Sequence, residues 1–88
     1  MIEKKETPIE GLFILTNNIF SDCRGSFKKL FAQEEFKTLN LDFDFKEIYY
    51  SINKKNVIRG MHFQIPPHDH IKMVYVIQGE ITDVCLDI

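Results

Sequence analysis

The chain has no tryptophan, only two cysteines, three prolines and four glycines among its 88 residues. Cys23 and Cys85 form no CxxC pair, so the pattern of a redox dithiol is missing and reduced thiols are expected. There is no internal repeat and no low-complexity segment. No apolar run approaches the roughly 18 residues that a membrane-spanning helix needs, so no membrane partner is expected. The eleven basic residues are scattered among thirteen acidic ones, giving a net charge of −2. Without a basic stripe there is no footprint for nucleic acid. Residues 1–11, MIEKKETPIEG, are charged and hold no apolar stretch of the kind found in secretory leaders, so a cytoplasmic location is the expectation.

What is present is the composition of an ordinary globular domain, 44% hydrophobic and 27% charged. Eight Phe and three Tyr favour a β-rich core, because aromatic side chains fit pleated surfaces. The length allows one small domain over residues 1–88 with no linker. The chain stops on Thr82-Asp83-Val84-Cys85-Leu86-Asp87-Ile88, an alternating strand pattern with no cap after it. Chain ends usually lie outside the last packed element, so the expectation is a piece of a longer protein.

Along the chain, residues 1–10 read as an irregular lead-in, and Leu12–Thr16 as a short strand. Asn17-Asn18 and Ser21-Asp22 are turn-formers, and Arg24–Phe31 begins with a turn glycine and becomes strand-like. Ala32–Leu39 carries strong helix formers, with Phe36 and Leu39 three apart, and predicts about two helical turns. Leu41–Phe45 alternates apolar and acidic residues, and strands are predicted at Glu47–Ile52, Val57–Gln64, Lys72–Ile77 and Ile81–Ile88. Polar or proline-bearing turns separate them at Asn53–Asn56, Ile65–His70 and Gln78–Glu80. About six short strands at roughly ten-residue spacing, with one short helix, point to an all-β antiparallel sandwich or barrel that is incomplete in 88 residues.

Chemistry concentrates in Arg59-Gly60-Met61-His62-Phe63-Gln64. On a strand, Arg59, Met61 and Phe63 share one face, and Ile58, Gly60, His62 and Gln64 the other. A strand facing a packed core would not place His and Gln on an inner face, whereas one lining a ligand cavity would. His62 is a candidate general base, because imidazole titrates near neutral pH; the bland alternative is a hydrogen-bonded structural histidine. Arg59 has the planar fork that holds phosphate or carboxylate, or else makes a surface ion pair. Lys72 opens an apolar strand and either snorkels to solvent or neutralises a developing oxyanion. Arg24 and Phe27 set a cation beside an aromatic ring just past a turn. His68 and His70, two apart, have the spacing of a metal pair, but Val74 and Tyr75 stand where a metal-binding cupin carries glutamate, so no metal is expected.

Together these segments resemble the dTDP-4-dehydrorhamnose 3,5-epimerase family of cupin-like jelly rolls. The resemblance is carried in order by ETPIEGLFIL, by Phe20-Ser21-Asp22-Cys23-Arg24-Gly25-Ser26-Phe27, by SINKKNVIRGMHFQ, by Pro66-Pro67, by Lys72 and by GEITDVCLDI. It implies an antiparallel cupin-type jelly roll and an isomerase that epimerises a dTDP-linked 4-keto-6-deoxy sugar, feeding dTDP-rhamnose and surface polysaccharide precursors. By resemblance, His62 is the base, Lys72 the cation at the C4 ketone and Arg59 a substrate-binding arginine, while Arg24 and Phe27 hold the nucleotide across a homodimer interface. No cofactor is implied, since a ketone already acidifies its neighbouring carbons.

The sequence also departs from the family pattern. Glu47-Ile48-Tyr49 stands where a Gln-x-Asn is common, Lys29 replaces an acid on the nucleotide side, and His68-Asp69-His70 has no counterpart. Glu47 and Tyr49 thus join Lys29 as candidate substrate contacts of altered character. The family's proton-donating Tyr and the Asp that orients the base belong to a second half of its domain. The expectation is therefore a truncated, poorly active form. The alternatives are a nucleotide-sugar-binding module without turnover and a related 3-epimerase or isomerase on another nucleotide sugar.

Overall fold

The structure is a computed structural model and describes residues 1–88. It contains two antiparallel hairpins and one short helix: β1 (Ile2–Glu6), β2 (Phe13–Asn17), β3 (Phe20–Asp22), β4 (Gly25–Phe27) and α1 (Gln33–Thr38). β1 pairs with β2 in the register Ile2↔Asn17, Lys4↔Leu15, Glu6↔Phe13, and β3 pairs with β4 as Phe20↔Phe27, Asp22↔Gly25. No helix is long and apolar enough to cross a membrane.

The lead-in forms a strand after all. IEKKE has little β propensity of its own, and its place is set by what it pairs with. Ile2, Lys4, Phe13, Leu15 and Asn17 fall on one half-buried face of the hairpin. The Lys4 ammonium lies 4.6 Å from the Phe13 ring centroid, a diagonal cross-strand pair. The same ammonium donates to the Leu39 carbonyl at 2.7 Å, and the Ile2 N–H donates to Glu35 Oε1 at 3.3 Å. Both bonds tie the strand to α1. In the connection, the Thr7 hydroxyl accepts from the Ile9 N–H and shares its proton between the carbonyls of Leu12 and Ile9. Gly11 at φ +80° takes the left-handed conformation that closes this loop.

Helix α1 sits where the sequence places it, and its ends explain why. Glu34 and Glu35 occupy the first turn and Lys37 the last, the charge order that a helix dipole favours. Asn40 at φ +54° ends the helix. The Leu41 N–H reaches back to the Phe36 carbonyl (2.8 Å) and the Asn40 N–H to the Lys37 carbonyl (3.1 Å), the paired bonds of a Schellman stop. The helix turns Phe36 inward. Its ring meets Phe31 edge-on at 4.7 Å, and Phe31 in turn lies about 6 Å from Phe43 and Phe45. Leu41, Phe43 and Phe45 are half-buried while Asp42 and Asp44 are exposed, so the alternation of that segment is real although it joins no ladder.

The largest difference from expectation lies beyond residue 46. Glu47–Ile52, Val57–Gln64, Lys72–Ile77 and Ile81–Ile88 form no strand ladder, and Arg24–Phe31 contributes strand only over Gly25–Phe27. The turns between them do form. The Val57 N–H bonds to the Lys54 carbonyl, the His68 N–H to the Ile65 carbonyl, and Gly79 bends the chain at φ +90°. A turn closes on its own neighbours, whereas a strand needs a second row of backbone groups. Among these 88 residues the four segments find no such row. Only Ile2 (5% exposed) and Phe36 (2%) are buried, and the radius of gyration is 15.0 Å. A compact domain of this length would have about 12 Å. The observed architecture is thus small antiparallel sheets with one helix.

Candidate functional site

An open concavity lies on the β3–β4 hairpin. It is an open depression of about 460 Å³ lined by Phe20, Ser21, Asp22, Arg24, Gly25, Ser26 and Phe27. That volume is in the range of small-molecule sites. The register sets Phe20 directly opposite Phe27, so both aromatic side chains lie on one face of the hairpin, both largely exposed. Arg24 sits in the turn that joins the strands. Gly25 at φ +136° lets the chain reverse there.

Asp22 grips Arg24. Its Oδ1 accepts from the Arg24 backbone N–H at 2.8 Å and from Nε at 3.3 Å. Its Oδ2 accepts from Nε at 3.1 Å and from Nη2 at 2.5 Å. The guanidinium beside it, helped by the Arg24 backbone N–H, holds the Asp22 carboxyl below the usual aspartate range, and Asp22 pushes Arg24 further up. The sign follows directly. A depressed carboxyl pKa means that the pair is complete at neutral pH and opens only as the pH falls through the lowered value.

Of the residues singled out by sequence, the structure brings Arg24 and Phe27 together in this depression. Lys29 is exposed just beyond it, and its carbonyl accepts from the Asn17 side-chain amide. Glu47 and Tyr49 are exposed. Arg59 does not pair with Glu47, as its place in the sequence allowed; its Nε donates to Asn53 Oδ1 across the Lys54–Val57 turn. His62 is exposed and its ring has no hydrogen-bond partner. Gly60 lies against it: a Cβ built on Gly60 would come 3.4 Å from His62 Nδ1, and the glycine holds φ +108°. No hydrogen bond or ion pair joins His62, Lys72 and Arg59 to one another. The Lys28 ammonium, 5.1 Å from the Tyr75 ring, links the end of β4 to the segment that Lys72 opens.

His70 Nδ1 lies 3.0 Å from the Ile71 carbonyl. A second open depression is lined by Asp42, Asp44, Lys46, Asp69, His70 and Ile71, with Lys46 and Asp44 paired at 2.8 Å. No three His, Cys, Asp or Glu side chains converge as a metal site would require. Sequence reading named neither Phe20 nor Asp22 as a site residue. The signal was available: with a two-residue turn at Cys23-Arg24, antiparallel pairing forces position 20 to face 27, and an Asp two residues before an Arg is in reach of its backbone N–H.

A family model for dTDP-4-dehydrorhamnose 3,5-epimerase matches residues 6–88. Among curated proteins, the dTDP-4-dehydrorhamnose 3,5-epimerase of Escherichia coli strain K12 is 37% identical over 83 residues, covering 93% of this chain and 45% of that protein. The protein of the same name from Shigella flexneri is 33% identical over 84 residues, covering 94% and 46%. That from Methanothermobacter thermautotrophicus is 34% identical over 83 residues, covering 94% and 44%. The chain thus spans less than half the length of these relatives. No solved structure gives a significant match. The match runs through the β3–β4 hairpin, the RGMHFQ segment and Lys72 alike, and the chain belongs to the dTDP-4-dehydrorhamnose 3,5-epimerase family.

Proposed function

We propose that this chain carries the nucleotide-holding and proton-abstracting residues of a dTDP-sugar epimerase. The observation that carries the reading is the family match over residues 6–88, which takes in Arg24, Phe27, Arg59, His62 and Lys72 together. In this reading the neutral His62 imidazole takes the proton from a carbon next to the C4 ketone of a dTDP-4-keto-6-deoxy sugar. The electron pair moves onto the ketone oxygen, where the Lys72 ammonium offsets the enolate charge. A proton from solvent water reaches the carbon on the opposite face, which inverts it and restores the ketone, and the His62 imidazolium returns its proton to solvent. Arg59 binds close to the sugar, and Lys29, Glu47 and Tyr49 shape the preference for base and sugar. The chemistry needs a base and an oxyanion partner and no cofactor.

Geometry supports the nucleotide half of this proposal most directly. Phe20 and Phe27 offer faces on which a pyrimidine stacks, and Arg24 beside them matches a diphosphate. Arg24→Ala is expected to weaken dTDP binding about tenfold to a hundredfold, the range for a charged hydrogen bond. Isothermal titration of the purified chain measures this, with GDP and CDP as comparison ligands. An affinity for dTDP unchanged by the substitution would remove Arg24 from the site.

The jelly-roll fold and the homodimer belong to the same proposal. Ile48 and Ile58 are 94% and 93% exposed on segments with no ladder partner, and unpaired edges of this kind favour pairing with a second copy. Sedimentation equilibrium is expected to show a dimer; a monomer at all concentrations would count against it. A cytoplasmic location belongs to the same proposal, and the free thiols of Cys23 and Cys85 are consistent with a reducing compartment. The second reading, a binding module without turnover, is favoured by one observation: the imidazole of His62 has no carboxylate to orient it.

A further inference from the structure

We infer that Asp22 is a positioning residue: it occupies the side edge of the Arg24 guanidinium so that only the end edge is offered to a phosphate. This rests on the nucleotide reading of Arg24 and adds the group that aims it. Asp22 Oδ2 accepts from both Nε and Nη2, while Oδ1 accepts from the Arg24 backbone N–H and, at 3.3 Å, from Nε. Nη1 and the outer hydrogen of Nη2 make no hydrogen bond. That remaining edge is planar and two-pronged, the shape that meets two oxygens of one phosphate. Arg24 is otherwise free to move, with its side chain 86% exposed. Held by Asp22, Arg24 lines the same depression as Phe20 and Phe27 before any ligand arrives.

Two effects of opposite sign act through Asp22. Its negative charge repels a bound phosphate, which for exposed groups roughly 7 Å apart in salt changes affinity by less than about twofold. Its grip removes rotamer freedom that binding would otherwise have to remove, and one such long side chain accounts for about threefold to tenfold in affinity. The grip dominates. Removing the charge therefore weakens binding, where electrostatics alone would strengthen it.

The test uses dTDP titrated into the full 88-residue chain and its variants, with NMR of the free forms. Asp22→Asn keeps an oxygen for the Arg24 backbone N–H, so the hairpin turn survives, but its amide NH2 cannot accept from the guanidinium. We expect its dTDP affinity to fall about threefold to tenfold with the β3–β4 amide shifts unchanged, and Asp22→Ala to lose at least as much. In the free protein the Arg24 Nε–H is expected to exchange with water faster in Asp22→Asn than in the unmodified chain. Affinity that rises or stays level in Asp22→Asn overturns the inference. Loss in Asp22→Ala with full recovery in Asp22→Asn also overturns it, because the role is then confined to the turn. Unaltered Nε–H exchange does so whether or not dTDP binds. If Arg24→Ala leaves dTDP binding intact, or no form binds, the nucleotide reading falls with it; if Arg24→Ala abolishes binding while Asp22→Asn does not affect it, only the positioning role falls.

Discussion

The 88-residue chain is expected to exchange solvent deuterium into a dTDP-4-keto-6-deoxyglucose substrate at least about a thousandfold more slowly than the longer Escherichia coli relative. The magnitude comes from what surrounds the proposed base. General acid–base catalysis by a well-placed side chain contributes about 10²- to 10⁴-fold. It depends on the imidazole presenting the right nitrogen in the right direction, and a histidine left in the wrong tautomer costs a hydrolytic triad about 10⁴ in turnover. His62 has no hydrogen-bond partner on its ring and stands in solvent.

The enolate fares no better. An oxyanion donor held in place contributes about 10²- to 10³-fold. Lys72 makes no ion pair and no bond to His62, and water around both screens whatever attraction an enolate would feel. Binding is a different matter, because the Arg24 and Phe27 depression is already assembled. The expected result is thus an affinity for dTDP without a matching rate. Mass spectrometry of the recovered sugar reads the deuterium at C3 and C5. Incorporation at a rate close to that of the longer relative would show that His62 and Lys72 need no further groups, and the binding-module reading would then fail.

What could be read from sequence followed the distance over which each element is decided. Helix α1 was legible because its bonds close within four residues and its stop at Asn40 is local. The turns at Lys54–Val57 and Ile65–His68 were legible for the same reason. β2 was legible from an apolar run, and β1 was not, since IEKKE is recruited by Lys4 and Ile2 reaching α1 more than thirty residues away. The pattern at Val57–Gln64 and Lys72–Ile77 records a preference for pleated backbone, but preference does not supply a partner strand. The site divided along the same line. Arg24 and Phe27 are three residues apart and line one depression through a single hairpin, whereas His62 and Lys72 lie on segments that join no ladder and make no bond to each other. Asp22 escaped notice because it reads as a turn-former, and only the bonds from Nε, Nη2 and the backbone N–H reveal its hold on Arg24.

Phe36→Ala is expected to have the largest effect on folding of any single substitution, about 3–5 kcal/mol. Phe36 is the most buried side chain in the chain, and its ring is the one against which Phe31 packs edge-on and Phe45 leans at 6.5 Å. Removing it takes away its own transfer energy and leaves Phe31 and Phe45 facing a void. Its position in the chain magnifies the loss. The neighbouring Glu35 accepts from the Ile2 N–H, and Ile2 is the other buried residue, so the helix that carries Phe36 is also tied to β1. With so little else buried, nothing remains to compensate, and a loss of this size equals most of the stability of a small domain. Amide exchange across Phe13–Asn17 measures the outcome, with protection expected to collapse along the whole β1–β2 ladder. Phe36→Leu, which keeps most of the volume, should lose only about 1 kcal/mol and retain that protection. If the ladder stayed protected in Phe36→Ala, the hairpin would be stable without the helix, and the bonds from Ile2 and Lys4 to α1 would be incidental.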